Sequence, residues 1–216
     1  MKLAIYDMDK TITRIPSWMP WLLFYALHNA PWRLALLPLA VVPAAGFLLK
    51  LTDRKGLKEA TQALLMGRRV QTARVERTAA AFAARFGAAQ ELPGALAQIA
   101  ADRADGWRIL IATASCGYYA RHMAARWGVE EVIATANFTD GEFLTNRIDG
   151  ENCYGGAKRA MLEEKFPQRA ERIRFYSDHV SDLPALLWAD EAVAANPSPP
   201  LRAEAQRRGW PICEWM

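Results

Sequence analysis

The chain opens with four apolar residues, Leu3 to Tyr6, that give way at once to Asp7, Asp9, Lys10 and Thr11. A short apolar run bounded by polar residues predicts a buried strand that delivers two acids together where it leaves its sheet. Two carboxylates held that close repel unless something positive sits between them. After Pro93 apolar runs of strand length alternate with helical periods. "ALAQIAADRADG" predicts a helix closed by Gly106, and "RILIATAS" a buried strand that enters a polar turn at Thr113 to Ser115. A helix from Tyr118 to Trp127, a strand near "VIATANF", a hairpin around "TDGEF", a helix from Gly156 to Lys165, the strand "IRFYSD", the helix "SDLPALLWA", the strand "AVAAN" and a helix from Pro200 to Gly209 complete the series. Strands alternating with helices predict an α/β fold: a Rossmann-like, mostly parallel sheet with helices on both faces. Ligands in such sheets bind beyond the carboxyl ends of the strands, where Asp7, Thr113 and Asp178 are all expected.

Between these two parts the pattern changes. Residues 15–32, "IPSWMPWLLFYALHNAPW", and 34–49, "LALLPLAVVPAAGFLL", contain no formal charge and are separated only by Arg33. A bilayer-spanning helix needs ~20 apolar residues, and Pro38 and Pro43 kink the second run, so no simple transmembrane helix is expected. From Lys55 to Gly87, Leu57, Leu64, Val70, Val75, Ala79, Phe82 and Phe86 recur at mostly helical spacing, so the span 14–90 reads as an insertion of about four helices.

Charge sharpens the contrast. Residues 14–90 hold eleven Lys and Arg against Asp53, Glu59 and Glu76, a local +8 in a chain of net charge +4, so the remainder is acidic. With 216 residues and 52% hydrophobic content, the chain can bury a sizeable core. Cys116, Cys153 and Cys213 have no metal-like spacing and read as reduced thiols, and the first residues lack a secretory pattern, so a cytoplasmic protein is expected.

"DMDKT", "ATAS", "GGAKRAML" and "YSDHVSDLP", in this order, resemble the four motifs of the haloacid dehalogenase superfamily of phosphohydrolases. The insertion after the first motif is similar to the helical cap of the phosphoserine-phosphatase-like branch, subfamily IB, and "NPSPPLRAEAQRRGWPI" to that branch's closing segment. The resemblance implies a core of residues 1–13 and 91–216 and a helical cap of residues 14–90. It implies a magnesium-dependent phosphomonoesterase with Asp7 as the nucleophile that forms an aspartyl-phosphate and Asp9 as general acid and base. Thr113 and the amide of Ala114 are expected on the phosphate, and Lys158, rather than its neighbour Arg159, is expected to neutralise developing charge. Asp7, Asp178 and the main-chain carbonyl of Asp9 are expected to hold Mg2+. Asp182 is expected on a metal-bound water or on Lys158, with Thr11 and Ser181 in support.

For the substrate, the phosphoserine enzymes place an acid in the cap to receive an ammonium group, whereas residues 14–52 here contain no Asp or Glu. The apolar stretch followed by Lys50, Arg54, Lys55 and Lys58 suits an interfacial segment against anionic headgroups, and is similar to the cap of the phosphatidylglycerophosphatase C type. A lipid phosphomonoester and peripheral contact with the inner face of the membrane are therefore expected, and nucleic acid is not. Three alternatives stand beside this one: an apolar run that is the cap's packed core or a dimer interface, a soluble metabolite phosphatase, and a regulatory protein that kept the fold and lost turnover.

Overall fold

The computed structural model describes residues 1–215. Its frame is an eight-stranded sheet: β1 (Lys2–Tyr6), β2 (Arg69–Gln71), β3 (Arg108–Cys116), β4 (Glu131–Asp140), β5 (Phe143–Asp149), β6 (Arg172–Ser177), β7 (Glu191–Ala195) and β8 (Ile212–Cys213), in the order β2-β5-β4-β3-β1-β6-β7-β8. The run from β4 to β8 is parallel, while β4, β5 and β2 pair antiparallel.

Side-chain alternation along β1 explains why this strand is central. Ala4 and Tyr6 face one core, with Ile109, Ile111 and Tyr176. Leu3 and Ile5 face the other, with Leu110, Ala112, Ile173 and Phe175. A strand covered on both faces needs an unbroken apolar run, and Leu3 to Tyr6 are all fully buried. The second core is closed by Leu162 of α8 (Gly156–Lys165), Ala185 and Leu186 of α9 (Leu183–Trp188), and Leu201 and Ala205 of α10 (Pro199–Arg208). Ile99 of α6 (Pro93–Ala104) and Tyr119 and Met123 of α7 (Gly117–Arg126) close the first.

A helical cap is inserted after β1. It holds α1 (Trp18–Asn29), a 3-10 helix (Pro31–Ala40), α2 (Val41–Leu48), α3 (Arg54–Leu65) and α4 (Thr72–Phe82), which passes through a π-helical turn (Ala83–Gly87) into α5 (Ala88–Gln90). The insertion is not wholly helical: Val70, expected on a helix face, lies in β2, which pairs with β5 through Val70 and Leu144. Three residues paired on a sheet edge leave too little periodicity to register against their helical flanks. The polar turn expected at Thr113 to Ser115 is instead the irregular end of β3, with a register shift between Thr113 and Cys116. Such a shift re-aims side chains without ending the strand.

The apolar runs divide. Trp21, Leu22, Tyr25 and Ala26 of α1 are cap core, with Trp21 stacked on Tyr119 at 5.3 Å. No residue from Pro31 to Leu48 is fully buried: Leu34 and Leu37 pack half-buried against the first core, and Val41, Val42, Leu48 and Leu49 are exposed, so most of the second run is not packed core. The 3-10 helix and α2 together form one helical stretch of 18 residues, long and apolar enough by length and composition to cross a membrane.

Candidate active site

Because β1, β3 and β6 are parallel neighbours, with Tyr6 opposite Ile111 and Tyr176, their carboxyl ends open on one edge. Asp7 follows β1 directly, its amide donating to the Tyr176 carbonyl at 2.9 Å, and Asp178 follows β6. Together with the cap they enclose a cavity of about 490 Å³, with Asp7, Asp9, Thr113, Ala114, Lys158, Asp178, Ser181 and Asp182 among its lining residues.

Lys158 comes from the first turn of α8. Gly155, with φ +59°, takes a left-handed turn just before that helix, a conformation in which a Cβ is strained. The Lys158 ammonium, 2% exposed, lies 2.8 Å from Asp7 Oδ1 and 2.6 Å from Asp182 Oδ2. Asp182 also accepts from Ser177 Oγ at 2.9 Å, so it holds Lys158 rather than standing apart. Arg159, the competing cation, is exposed and pairs with Glu163 at 2.9 Å. Thr11 links the two strand ends: its Oγ1 accepts from the Asp178 amide at 3.1 Å and lies 3.5 Å from Asp7 Oδ2. Thr113 is buried, its Oγ1 accepting from the Ser115 amide at 3.1 Å. Ser181 lines the cavity, its hydroxyl and amide meeting His179 Nδ1 at 2.9 and 3.1 Å.

Asp9 sits apart from this ion cluster. Its carboxylate accepts from the Ser17 amide and from Ser115 Oγ, both at 3.0 Å. The turn just after Asp9 is strained, since Lys10 has φ +62°, and Asn196 Nδ2 donates to the Lys10 carbonyl at 3.1 Å to hold it.

Electrostatics separate the acids. Burial pushes Asp7 up to about 7 against the pull of Lys158, with Asp182 and Asp9 adding to the rise. Burial, then the neighbouring Asp7 and Asp182, push Asp178 up to about 8. Asp9 is raised by burial and pulled back by its Ser17 and Ser115 hydrogen bonds. Lys158 loses by burial but is carried above the ordinary lysine value by Asp182 and Asp7, so it stays charged.

Among the described residues no three His, Cys, Asp or Glu side chains converge as a metal cluster. Two carboxylates do fit a magnesium ion, which takes one or two of them plus waters. Asp178 is 6% exposed and has no cation or donor at bonding distance among the described residues, and Asp7 raises its proton affinity. A buried carboxylate in that position is completed by a positive partner.

Several site residues escape motif reasoning. Ser17, Ser115 and Asn196 receive no role from the motifs: Ser115 and Asn196 act on partners 106 and 186 positions away, and Ser17, though only eight residues from Asp9, has no signature of its own. Lys58, grouped by sequence with surface cations, reaches from α3 into the cavity, where its ammonium donates to the Ala114 carbonyl and, at 2.8 Å, to Asn152 Oδ1.

The model of the haloacid dehalogenase-like hydrolases matches residues 4–187, and the chain belongs to this family. A protein of unknown function from Bordetella pertussis Tohama I shares the fold with a TM-score of 0.89 at 23% identity, over 100% of this chain and 99% of that one. A structure described as a phospho-aspartyl intermediate analogue of phosphoserine phosphatase superposes with a TM-score of 0.65 at 15% identity, over 100% and 93% of the two chains. A histidinol-phosphatase of Neisseria meningitidis serogroup C (strain 8013) is 34% identical over 94 residues, 40% of this chain and 42% of that protein. The chain thus spans less than half the length of the curated relatives it matches.

Proposed function

We propose that this chain is a magnesium-dependent phosphomonoester hydrolase that works through an aspartyl-phosphate on Asp7. The observation that carries the reading is the division of labour among the acids: Asp7 shares the Lys158 ammonium with Asp182, while Asp9 is held separately by Ser17 and Ser115. An Asp7 oxygen attacks phosphorus, the bond from phosphorus to the alcohol oxygen breaks, and Asp9 gives that oxygen its proton. Asp9, now ionised, takes a proton from water as the water attacks the aspartyl-phosphate; the bond to Asp7 breaks and inorganic phosphate leaves. Lys158 and the Thr113 hydroxyl balance charge on the phosphoryl oxygens, with the Ala114 amide as a further donor. Magnesium held by Asp7, Asp178 and the Asp9 carbonyl would supply charge neutralisation to the phosphoryl group. Residues 14–90 serve as the cap over a core of residues 1–13 and 91–216.

The substrate in this reading is a phosphate on an apolar carrier, such as a lipid phosphomonoester, met at the inner face of a membrane. Pro16, Met19, Ala40, Ala44 and Leu57 give the cavity an apolar wall, and α2 and the turn after it expose Val41, Val42, Leu48, Leu49 and Leu51 beside Lys50. The names of the phosphoserine and histidinol relatives favour a second reading, a soluble metabolite phosphatase. Released inorganic phosphate, assayed over soluble and lipid phosphomonoesters with magnesium and with chelator, decides between them. Activity that survives chelator, or survives Asp7→Asn, overturns the mechanism.

A further inference from the structure

Lys58 is the one cation that the cap helix α3 sends onto the active-site end of β3. Its ammonium rests on the carbonyl of Ala114, the residue after Thr113, and on Asn152 Oδ1, which is itself fixed by the Thr135 hydroxyl at 2.9 Å. These two acceptors are neutral. An ammonium has three N–H donors, so one remains for a ligand. No carboxylate lies within ion-pairing distance of Lys58 among the described residues. The cost of half-burying this charge shows in its proton affinity, which burial lowers while the more distant Asp9 partly restores it. Trp18 covers the ammonium from the cap side, 5.6 Å from ring centre to nitrogen.

Position gives this charge a meaning. Asp9 is anchored to Ser115 and Lys58 to Ala114, so both stand on the irregular end of β3, whereas Lys158, Asp178 and Asp182 gather around Asp7. In the proposed reaction the leaving oxygen lies at Asp9 and the Ala114 amide serves the phosphoryl group, so Lys58, on the carbonyl of Ala114, stands on the border between them as the cap cation beside the alcohol. Arg54, one helical turn earlier on α3, lines the same cavity with its guanidinium 4.2 Å from the Tyr154 ring centre. The wall on the alcohol side therefore carries positive charge, with no acid from the cap's residues 14–52 to offset it.

Resting on the phosphomonoesterase reading, we infer that Lys58 forms an anion subsite for the leaving group: the preferred substrate carries a second negative charge, a carboxylate or phosphodiester, close to the ester oxygen. An ammonium in that place meets like charge and loses its hydration without a partner, which selects against cationic alcohols. The subsite discriminates among the phosphate esters that the named relatives suggest, since a purely cationic alcohol is the one it rejects.

The test compares 2-phosphoglycolate with O-phosphoethanolamine, which differ chiefly in the sign of the charge beside the ester. The proposal expects kcat/KM to favour phosphoglycolate. Lys58→Met reduces that ratio about 10- to 100-fold, the range for one charge-assisted hydrogen bond. Lys58→Arg keeps the preference and Lys58→Glu inverts it. A merely structural Lys58 lowers both substrates together and leaves the ratio unchanged, which overturns the inference. Thermal shifts of the parent and of Lys58→Arg and Lys58→Met with each ester give the same comparison without turnover. If no ester is hydrolysed but phosphoglycolate alone stabilises the parent and Lys58→Arg, and not Lys58→Met, the hydrolase reading fails and the subsite stands. Equal binding of both esters by the parent sinks the subsite whatever the activity.

Discussion

Ser115 Oγ donates to Asp9 Oδ2 at 3.0 Å and lies 3.0 Å from Ser17 Oγ, so the proposed acid-base is tied through one hydroxyl to the residue just before α1 of the cap. Ser17 is fully buried, meets Tyr119 Oη at 3.1 Å and gives its amide to the other Asp9 oxygen. The geometry of Asp9 therefore depends on the seating of α1, which links cap position to proton transfer.

Ser115→Ala removes one of these donors and frees the Asp9 carboxylate to turn. The loss should fall on esters that need a protonated leaving group: kcat/KM for an alkyl phosphate drops, up to the ~10² that general acid catalysis supplies at its lower end. Hydrolysis of p-nitrophenyl phosphate, whose leaving group departs without a proton, keeps its kcat/KM within a few-fold. An equal loss on both esters would show that Ser115 acts on packing and not on Asp9.

The Lys158 ion cluster bears on stability as well as on the proposed chemistry. Lys158→Met leaves Asp7 and Asp182 buried and facing each other without their shared cation, a change that costs ~3–5 kcal/mol in buried pairs. Denaturant unfolding measures it, and Lys158→Met/Asp182→Leu should recover part of the loss because it removes one of the orphaned charges. A single variant as stable as the parent contradicts this geometry.

Much of this site was legible in the sequence because each motif sits within a few residues of a strand or helix end. Local pattern alone places Asp7 and Asp178 at the ends of strands, while Lys158, on α8, is singled out by the motif "GGAKRAML" that carries the family resemblance. What escaped was non-local. Lys58 looks like the exposed Lys50 until α3 is seen lying on β5, where the Ile148 amide donates to Glu59 Oε1 at 2.8 Å and Asn146 Nδ2 to the Glu59 carbonyl at 3.0 Å. Likewise "RVQ" carries no strand signature of its own, and only the exposed edge of β5 recruits it to the sheet.

The raised carboxylates predict a pH signature. Asp7 at about 7 and Asp178 at about 8 both lie above the ordinary carboxylate value of 3.8. Between that value and their folded values the native chain binds more protons than the unfolded one, so their contribution to stability falls as pH rises through this window. Magnesium, competing with those protons, should raise the melting temperature more at about pH 8 than at about pH 5. Asp178→Asn should flatten both the falling stability and the growing magnesium effect. Calorimetric scans that show the same magnesium shift at both pH values would remove the two carboxylates from the metal site.

The exposed apolar face makes the final prediction. Leu48, Leu49 and Leu51 are 79%, 70% and 79% exposed, and they follow Val41 and Val42 along the rim of a cavity whose wall includes Ala40 and Ala44. The same helical stretch thus shows apolar side chains to the outside and to the mouth of the site. Covering such a surface gains ~25 cal/mol per Å² of apolar area, and each Lys or Arg that reaches an anionic leaflet adds ~1 kcal/mol. The protein should sediment with vesicles rich in anionic lipid at low salt, and less well as salt rises, because the electrostatic part is screened. Leu48→Glu/Leu49→Glu should abolish sedimentation while sparing hydrolysis of a soluble ester, since neither residue lines the cavity. A parent protein that stays in the supernatant, or a mass that doubles with concentration and falls in the double variant, would assign this face to a second copy of the chain instead of a bilayer.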